Sequence, residues 1–348
     1  MSVFQSFGKT AAGIALAGGM MTAAIPAFAQ EYTAENPLKV ALVVHGSLGD
    51  KSFFDSAAAG LQRADADLPV ELKIIEAGAD KSKWQPALAD AADTGYDVIV
   101  VGTFEMSPFV PELAEEFPDE KFVIFDDTVD FGACDCGNVI GIQYYTSTAG
   151  YLAGYAAAKI SKSGKLGTIV GMEGPTVLDF KVGFDQGAKV ANPNVEVLNQ
   201  VAGTFTDPAK GKEIALAQFN QGVDIVFPIA GGTGIGALQA AKDSGKLAVG
   251  VDSDQAAIFA PTDPAQADVI FTSVEKRVGD SLYLVLEKTI DGSQEYGKTI
   301  ILGLQDGAVG ISKNAQYEKL VPAEVRAEVE DLQAKIASGE IVVDTVMK

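Results

Sequence analysis

Little of the usual catalytic chemistry is available to this chain. It holds one histidine, His45, one tryptophan, Trp84, and two cysteines in 348 residues. A single histidine without a partner motif gives little footing for a Ser-His-Asp or Cys-His nucleophile. The cysteines, Cys134 and Cys136, are two residues apart, in Cys-Asp-Cys. A structural disulfide at that spacing would be strained, and a metal site would need more ligands than the neighbourhood offers. The pair reads as a local exposed turn feature, with vicinal redox chemistry open to it after export. Positive charge is scarce too: 26 Lys and Arg stand against 47 Asp and Glu, a net charge of −21. Such a chain repels nucleic acid and anionic membrane surfaces, so no nucleic-acid partner is expected. After the first 30 residues there is no long uncharged apolar run, and no later membrane span is expected.

The amino-terminal 29 residues have a composition of their own. Lys9 supplies a basic start, residues 11–24 are apolar or small, and Ala27-Phe28-Ala29 is an A-x-A cleavage site. This is the pattern of a secretory signal peptide. Cleavage would begin the mature chain at Gln30 and remove one charge, Lys9, taking the net from −21 to −22. No cysteine follows the cleavage site. The expected product is a soluble exported protein, periplasmic, monomeric and without a lipid anchor.

After Pro37, short apolar runs alternate with longer amphipathic ones. Strands are expected at 39–44, 71–76, 98–101, 122–125 and 139–142, with helices between them at 54–67, 83–94 and 109–117. A small-residue helix at 147–161 carries Gly150 and Gly154 on one face. A second set then begins: strands at 165–170, 196–201, 224–227, 247–251 and 269–272, with helices at 177–191, 208–220 and 234–244. A helix at 275–290, a strand at 298–302 and a charged helix at 322–338 complete the chain. Runs of four to six apolar residues suit strands buried on both faces, and their alternation with helices predicts an α/β fold with parallel sheets. Two such sets imply two doubly wound parallel-sheet lobes joined by a hinge. One lobe would comprise residues 38–145 plus 274–298, the other 146–273 plus 299–348. The chain would cross between them near 143–147, 272–275 and 298–302.

Two segments carry chemistry. In the first, residues 39–57, an apolar strand stops at a polar turn, and two phenylalanines, Phe53 and Phe54, precede a helix. Ligands of open α/β sheets sit beyond the carboxyl ends of strands, against helix N-termini. His45, Asp50, Phe53 and Phe54 are therefore candidate contacts. In the second, Gly232, Gly234 and Ala237 satisfy G-x-G-x-x-A after a strand, and Asp252 lies 20 residues after Gly232. That pattern resembles a dinucleotide fingerprint and makes an NAD-dependent oxidoreductase the rival reading. Its position deep in the second set and the export signal weigh against it. The same glycines let backbone approach any ligand closely.

Several longer strings are more specific together than any one alone. They include GDKSFFDSA at 49–57, FPDEKFVIFDD at 117–127, GPTVLDFKVGFDQG at 174–187, AGGTGIG at 230–236, GVDSDQ at 250–255 and TSVEKRV at 272–278. On these the chain resembles the basic membrane protein family of ABC-transporter substrate-binding proteins, whose best-understood members are purine nucleoside receptors. The resemblance implies a type I periplasmic binding protein fold, no enzymatic activity, no cofactor, a small-molecule ligand and a membrane permease as partner. It implies a base held between Phe53 and Phe180, ribose hydroxyls on Asp252, and Lys276 reaching the ligand at the hinge. The turn from Gly231 through Gly232 and Thr233 would line the cleft. Two positions depart from the nucleoside-binding pattern: His45 stands where those members carry Asp, and Phe54 where they carry Asn. A nucleoside-like or other aromatic ligand is the expectation.

Overall fold

Apolar residues on both faces of nearly every central strand require helices on both sides, and that is the arrangement found. The computed structural model describes residues 32–347, and the expected signal peptide at 1–29 lies outside them. The first set of elements is β1 (Leu38–His45), α1 (Phe53–Asp67), β2 (Val70–Gly78), α2 (Trp84–Asp93), β3 (Val98–Gly102), α3 (Val110–Glu116), β4 (Lys121–Phe125) and β5 (Val139–Tyr144). The second is α4 (Thr146–Ile160), β6 (Lys165–Val170), α5 (Pro175–Ala191), β7 (Glu196–Val201), α6 (Pro208–Asn220), β8 (Ile225–Ile229), α7 (Gly231–Ser244), β9 (Leu247–Asp252), α8 (Gln255–Phe259), α9 (Pro264–Ala267) and β10 (Ile270–Lys276). The chain ends with α10 (Val278–Ile290), β11 (Lys298–Leu302), β12 (Val309–Ile311), α11 (Ala315–Leu320) and α12 (Ala323–Ala337).

Two six-stranded sheets result, in the orders β11-β5-β4-β3-β1-β2 and β12-β10-β9-β8-β6-β7. Every pairing in the first is parallel, and in the second only β12 runs antiparallel, against β10. The α/β class with two parallel sheets is as expected. Side-chain alternation assigns each strand's residues to two layers. In β1, Val40 and Leu42 face α1, whereas Ala41 and Val43 face α2 and α3. In the second sheet, Phe227 and Val249 pack toward α4 and α5, and Val226 and Ala248 toward α6 and α7.

Sheet membership moves two expected boundaries. Lys276 is the last residue of β10 and stays with the second sheet, so the chain passes to the first half at Arg277, where α10 packs on α1. Strand β11 lies wholly in the first sheet, and the third passage follows it, at 303–308. Lys276 therefore ends a strand; it does not belong to a helix. Helix α7 begins at Gly231, three residues earlier than its glycines suggest. Cys134 and Cys136 are joined by a disulfide in the loop between β4 and β5, and Cys136 is buried, unlike the exposed turn expected.

The most extensive helix contact is between α4 and α5. Both carry glycines four apart, Gly150 and Gly154 on one, Gly183 and Gly187 on the other, a spacing that puts each pair on one helix face. A Cβ on Gly183 would fall 1.9 Å from the Ser147 carbonyl oxygen, and one on Gly154 2.1 Å from that of Phe184. These backbones touch directly, so no side chain fits between them. Gly183→Ala should cost about 1–3 kcal/mol by overpacking. Urea denaturation checks it: an unchanged midpoint would mean that the helices can separate freely.

Candidate functional site

Parallel strands point their carboxyl ends the same way, and here both sheets aim theirs at one cavity of about 580 Å³. Its wall takes His45 from the end of β1, Thr103 after β3, Asp126 after β4, Asp252 at the end of β9 and Lys276 at the end of β10. The first turns of α1 and α7 complete it with Phe53, Phe54, Gly231 and Gly232. Four non-glycine residues have positive φ among the described residues, and three of them, Thr103, Asp126 and Asp252, line this cavity. Such backbone costs roughly 1–3 kcal/mol per residue and is retained where a side chain must be aimed.

Lys276 is the electrostatic centre. It is 3% exposed, its Nζ is 2.7 Å from Asp126 Oδ1 and 3.5 Å from Asp252 Oδ1, and these carboxylates belong to different sheets. The ammonium also lies 4.5 Å from the centre of the Phe53 ring and 5.0 Å from that of Phe180, within cation–π range. Burial alone would lower the Lys276 pKa, but Asp126 and Asp252 outweigh it and raise it. Burial pushes Asp252 up to about 6 despite Lys276, with Asp126 and Asp50 adding to the rise. Asp126 is raised by burial as well, against the pull of Lys276.

A second polar group lies on the first-sheet wall. His45 Nε2 is 3.3 Å from Glu105 Oε2 and 3.3 Å from Thr103 Oγ1, and Lys81 Nζ is 3.1 Å from Glu105 Oε1. Phe54 and Trp84 meet the His45 ring edge-on at 5.0 Å each. Trp84 is fixed by donating its indole N–H to the Gly78 carbonyl at 2.7 Å.

Nine of the ten residues singled out from sequence line this cavity: His45, Asp50, Phe53, Phe54, Phe180, Gly231, Gly232, Asp252 and Lys276. Thr233 does not. It is fully buried, donating to the Thr204 carbonyl at 3.0 Å and accepting from the Asp207 N–H at 2.9 Å, which ties the loop after β7 to α7. Asp50 reaches the wall, but its carboxylate accepts the backbone N–H groups of Ser52, Phe54 and Asp55 and so caps α1. Sequence reasoning missed Asp126, Glu105 and Phe205. Asp126 had a readable signal, since it follows the apolar run FVIF at a strand's carboxyl end, as Asp252 follows VGV.

A family profile described as "ABC transporter substrate-binding protein PnrA-like" matches residues 38–346. The chain belongs to this family. It is 33% identical over 308 residues to basic membrane protein A of Borreliella afzelii, covering 88% of this chain and 91% of that one. Among solved structures, an ABC transporter system solute-binding protein from Aeropyrum pernix superimposes with a TM-score of 0.79 at 26% identity, covering 90% of this chain and 94% of the other. One from Conexibacter woesei gives 0.71 at 25% identity, covering 89% and 100%. As a PnrA-like protein the chain has a solute-binding role. Nothing in these relationships favours the oxidoreductase reading of Gly232 to Asp252.

The raised Asp252 pKa has a consequence for stability. An acid whose folded-state pKa exceeds its unfolded value binds more protons when folded, so stability falls as pH rises through the window between the two, here about pH 4 to 6. Asp252→Asn should remove its share of that slope, to which Asp126 also contributes, and leave the ligand-free protein up to about 3 kcal/mol more stable at pH 7. Urea titrations at both ends of the window measure this. A variant that keeps the wild-type slope would show that Asp252 ionises normally.

Proposed function

We propose that this protein captures a small solute in the cavity between its two sheets and delivers it to the membrane permease of an ABC importer. Each sheet with its helices acts as a lobe. The lobes turn about the passages at Tyr145, Arg277 and residues 303–308, and a solute touching both walls favours the closed state. The observation that carries this reading is the Lys276–Asp126 ion pair, which joins the carboxyl end of one sheet to that of the other inside a cavity of ligand size. Export to the periplasm and action there as a monomer are part of the same proposal, and the signal-peptide pattern of residues 1–29 supports the export.

The lining supports a ligand with a flat or aromatic body and hydroxyl groups. Phe53, Phe54, Trp84 and Phe205 offer apolar faces and edges. Asp252 Oδ1 is buried and has only the Lys276 ammonium, at a long 3.5 Å, for company, so a ligand hydroxyl would satisfy its remaining lone pair. Nucleosides are the first class to test.

Calorimetry with a panel of purine and pyrimidine nucleosides should find at least one that binds. Asp252→Asn should weaken it about 10–100-fold, the worth of a hydrogen bond to a charged group. Binding should also alter the fluorescence of Trp84, the chain's one tryptophan. Equal affinity for wild type and Asp252→Asn would remove Asp252 from ligand recognition.

A further inference from the structure

His45 is the one histidine of the chain, and at 8% exposure it is more than nine-tenths buried. Its two ring nitrogens have different surroundings. Nε2 faces Glu105 Oε2 and Thr103 Oγ1, each at 3.3 Å. Nδ1 is buried and has no partner at all. A neutral imidazole has one donor and one acceptor nitrogen, and the partner of the first decides the role of the second.

Glu105 makes that decision. It accepts from Lys81 through Oε1, and burial, which would raise its pKa, is outweighed by His45 and Lys81, so it is held below its ordinary value and stays ionised. An ionised carboxylate has only lone pairs to offer. A lone pair on Nε2 facing it would be repelled, so the proton belongs on Nε2. Thr103 Oγ1 already accepts the Glu105 backbone N–H at 3.2 Å and can accept from Nε2 as well. Phe54 and Trp84, which meet the ring edge-on, bring no acceptor, and the one donor between them, the Trp84 N–H, is spent on Gly78.

We propose that Glu105 is a positioning residue that locks His45 as its Nε2–H tautomer, leaving Nδ1 as a hydrogen-bond acceptor in the cavity wall that selects solutes presenting an N–H or O–H donor there. The selectivity part rests on the solute-binding reading above; the tautomer part does not. The lock also explains how a histidine can hold this place: the carboxylate of Glu105, beside it in the cavity wall, turns a two-way group into a one-way acceptor.

A chain with one histidine permits a direct test. Nitrogen-15 NMR of the ligand-free, full-length mature protein reports the protonation of each ring nitrogen from a single pair of signals. The expected result is a protonated-type Nε2 and an unprotonated-type Nδ1 in wild type. In Glu105→Gln, whose amide can donate as well as accept, the Nδ1–H form should become populated. Nδ1–H as the major wild-type form, or a Glu105→Gln spectrum identical to wild type, would overturn the proposal. Binding supplies the second arm, with inosine, guanosine and adenosine each compared with an analogue methylated at a ring or exocyclic N–H. For a nucleoside that binds, losing the contacted donor should weaken binding about tenfold or more in wild type and clearly less in Glu105→Gln. Equal sensitivity in both proteins would overturn the selectivity. Failure of every nucleoside to bind would count against the ligand class proposed above, while the NMR result decides the role of Glu105 on its own.

Discussion

Lys276 carries a positive charge into a place that water hardly reaches, and an isolated charge there would cost several kcal/mol. Asp126 and Asp252 make it tolerable, and they come from different sheets. That requirement organises the cleft. Strand β4 must end where β10 ends, and the backbone at Asp126 and Asp252 must enter the left-handed region to turn both carboxylates inward. The cluster has two acids for one base, so it keeps an unmet demand for donors. A solute rich in hydroxyl or N–H groups would answer that demand, in keeping with the proposed function.

The same constraint explains why the wall away from Lys276 is built differently. There the aromatic residues His45, Phe54 and Trp84 pack edge to face, and the Glu105 carboxylate is paired with Lys81 and faces His45 Nε2. One end of the cavity is thus dominated by charge and the other by ring edges with a few aimed hydrogen-bonding atoms. That division suits a ligand with one polar and one flat end. It also gives His45 and Phe54, the two departures from the family's nucleoside-binding pattern, a shared location on the aromatic wall.

Most of the architecture was legible because buried parallel strands leave a simple trace: apolar runs such as VIVV before Gly102 can hardly be anything else. Strand β12 was invisible, since three residues carry no period, and α8 and α9 were too short to show one. The start of α7 was read late because glycine argues for a loop, whereas here Gly231 and Gly232 open a helix against the Phe205 loop. Lys276 was placed on a helix because the charges of Glu275, Lys276 and Arg277 look solvated; burial of a charge depends on partners 24 and 150 residues away, and no local pattern encodes them. Asp126 and Glu105 were missed for a different reason. Both follow apolar strands, the position that singles out His45 and Asp252, but neither lies in the two segments whose turns and glycines point to chemistry.

The most direct measurement of the central claim is native mass spectrometry of the mature protein after gentle purification, alongside Lys276→Met, which removes the ammonium but keeps the chain's length in the cavity. The expected result is wild-type protein carrying one small organic molecule that is released on denaturation, and a variant that carries none. Wild type that arrives empty and takes up no nucleoside, sugar or aromatic solute, or a Lys276→Met variant that keeps the same molecule, would contradict a solute site built around Lys276.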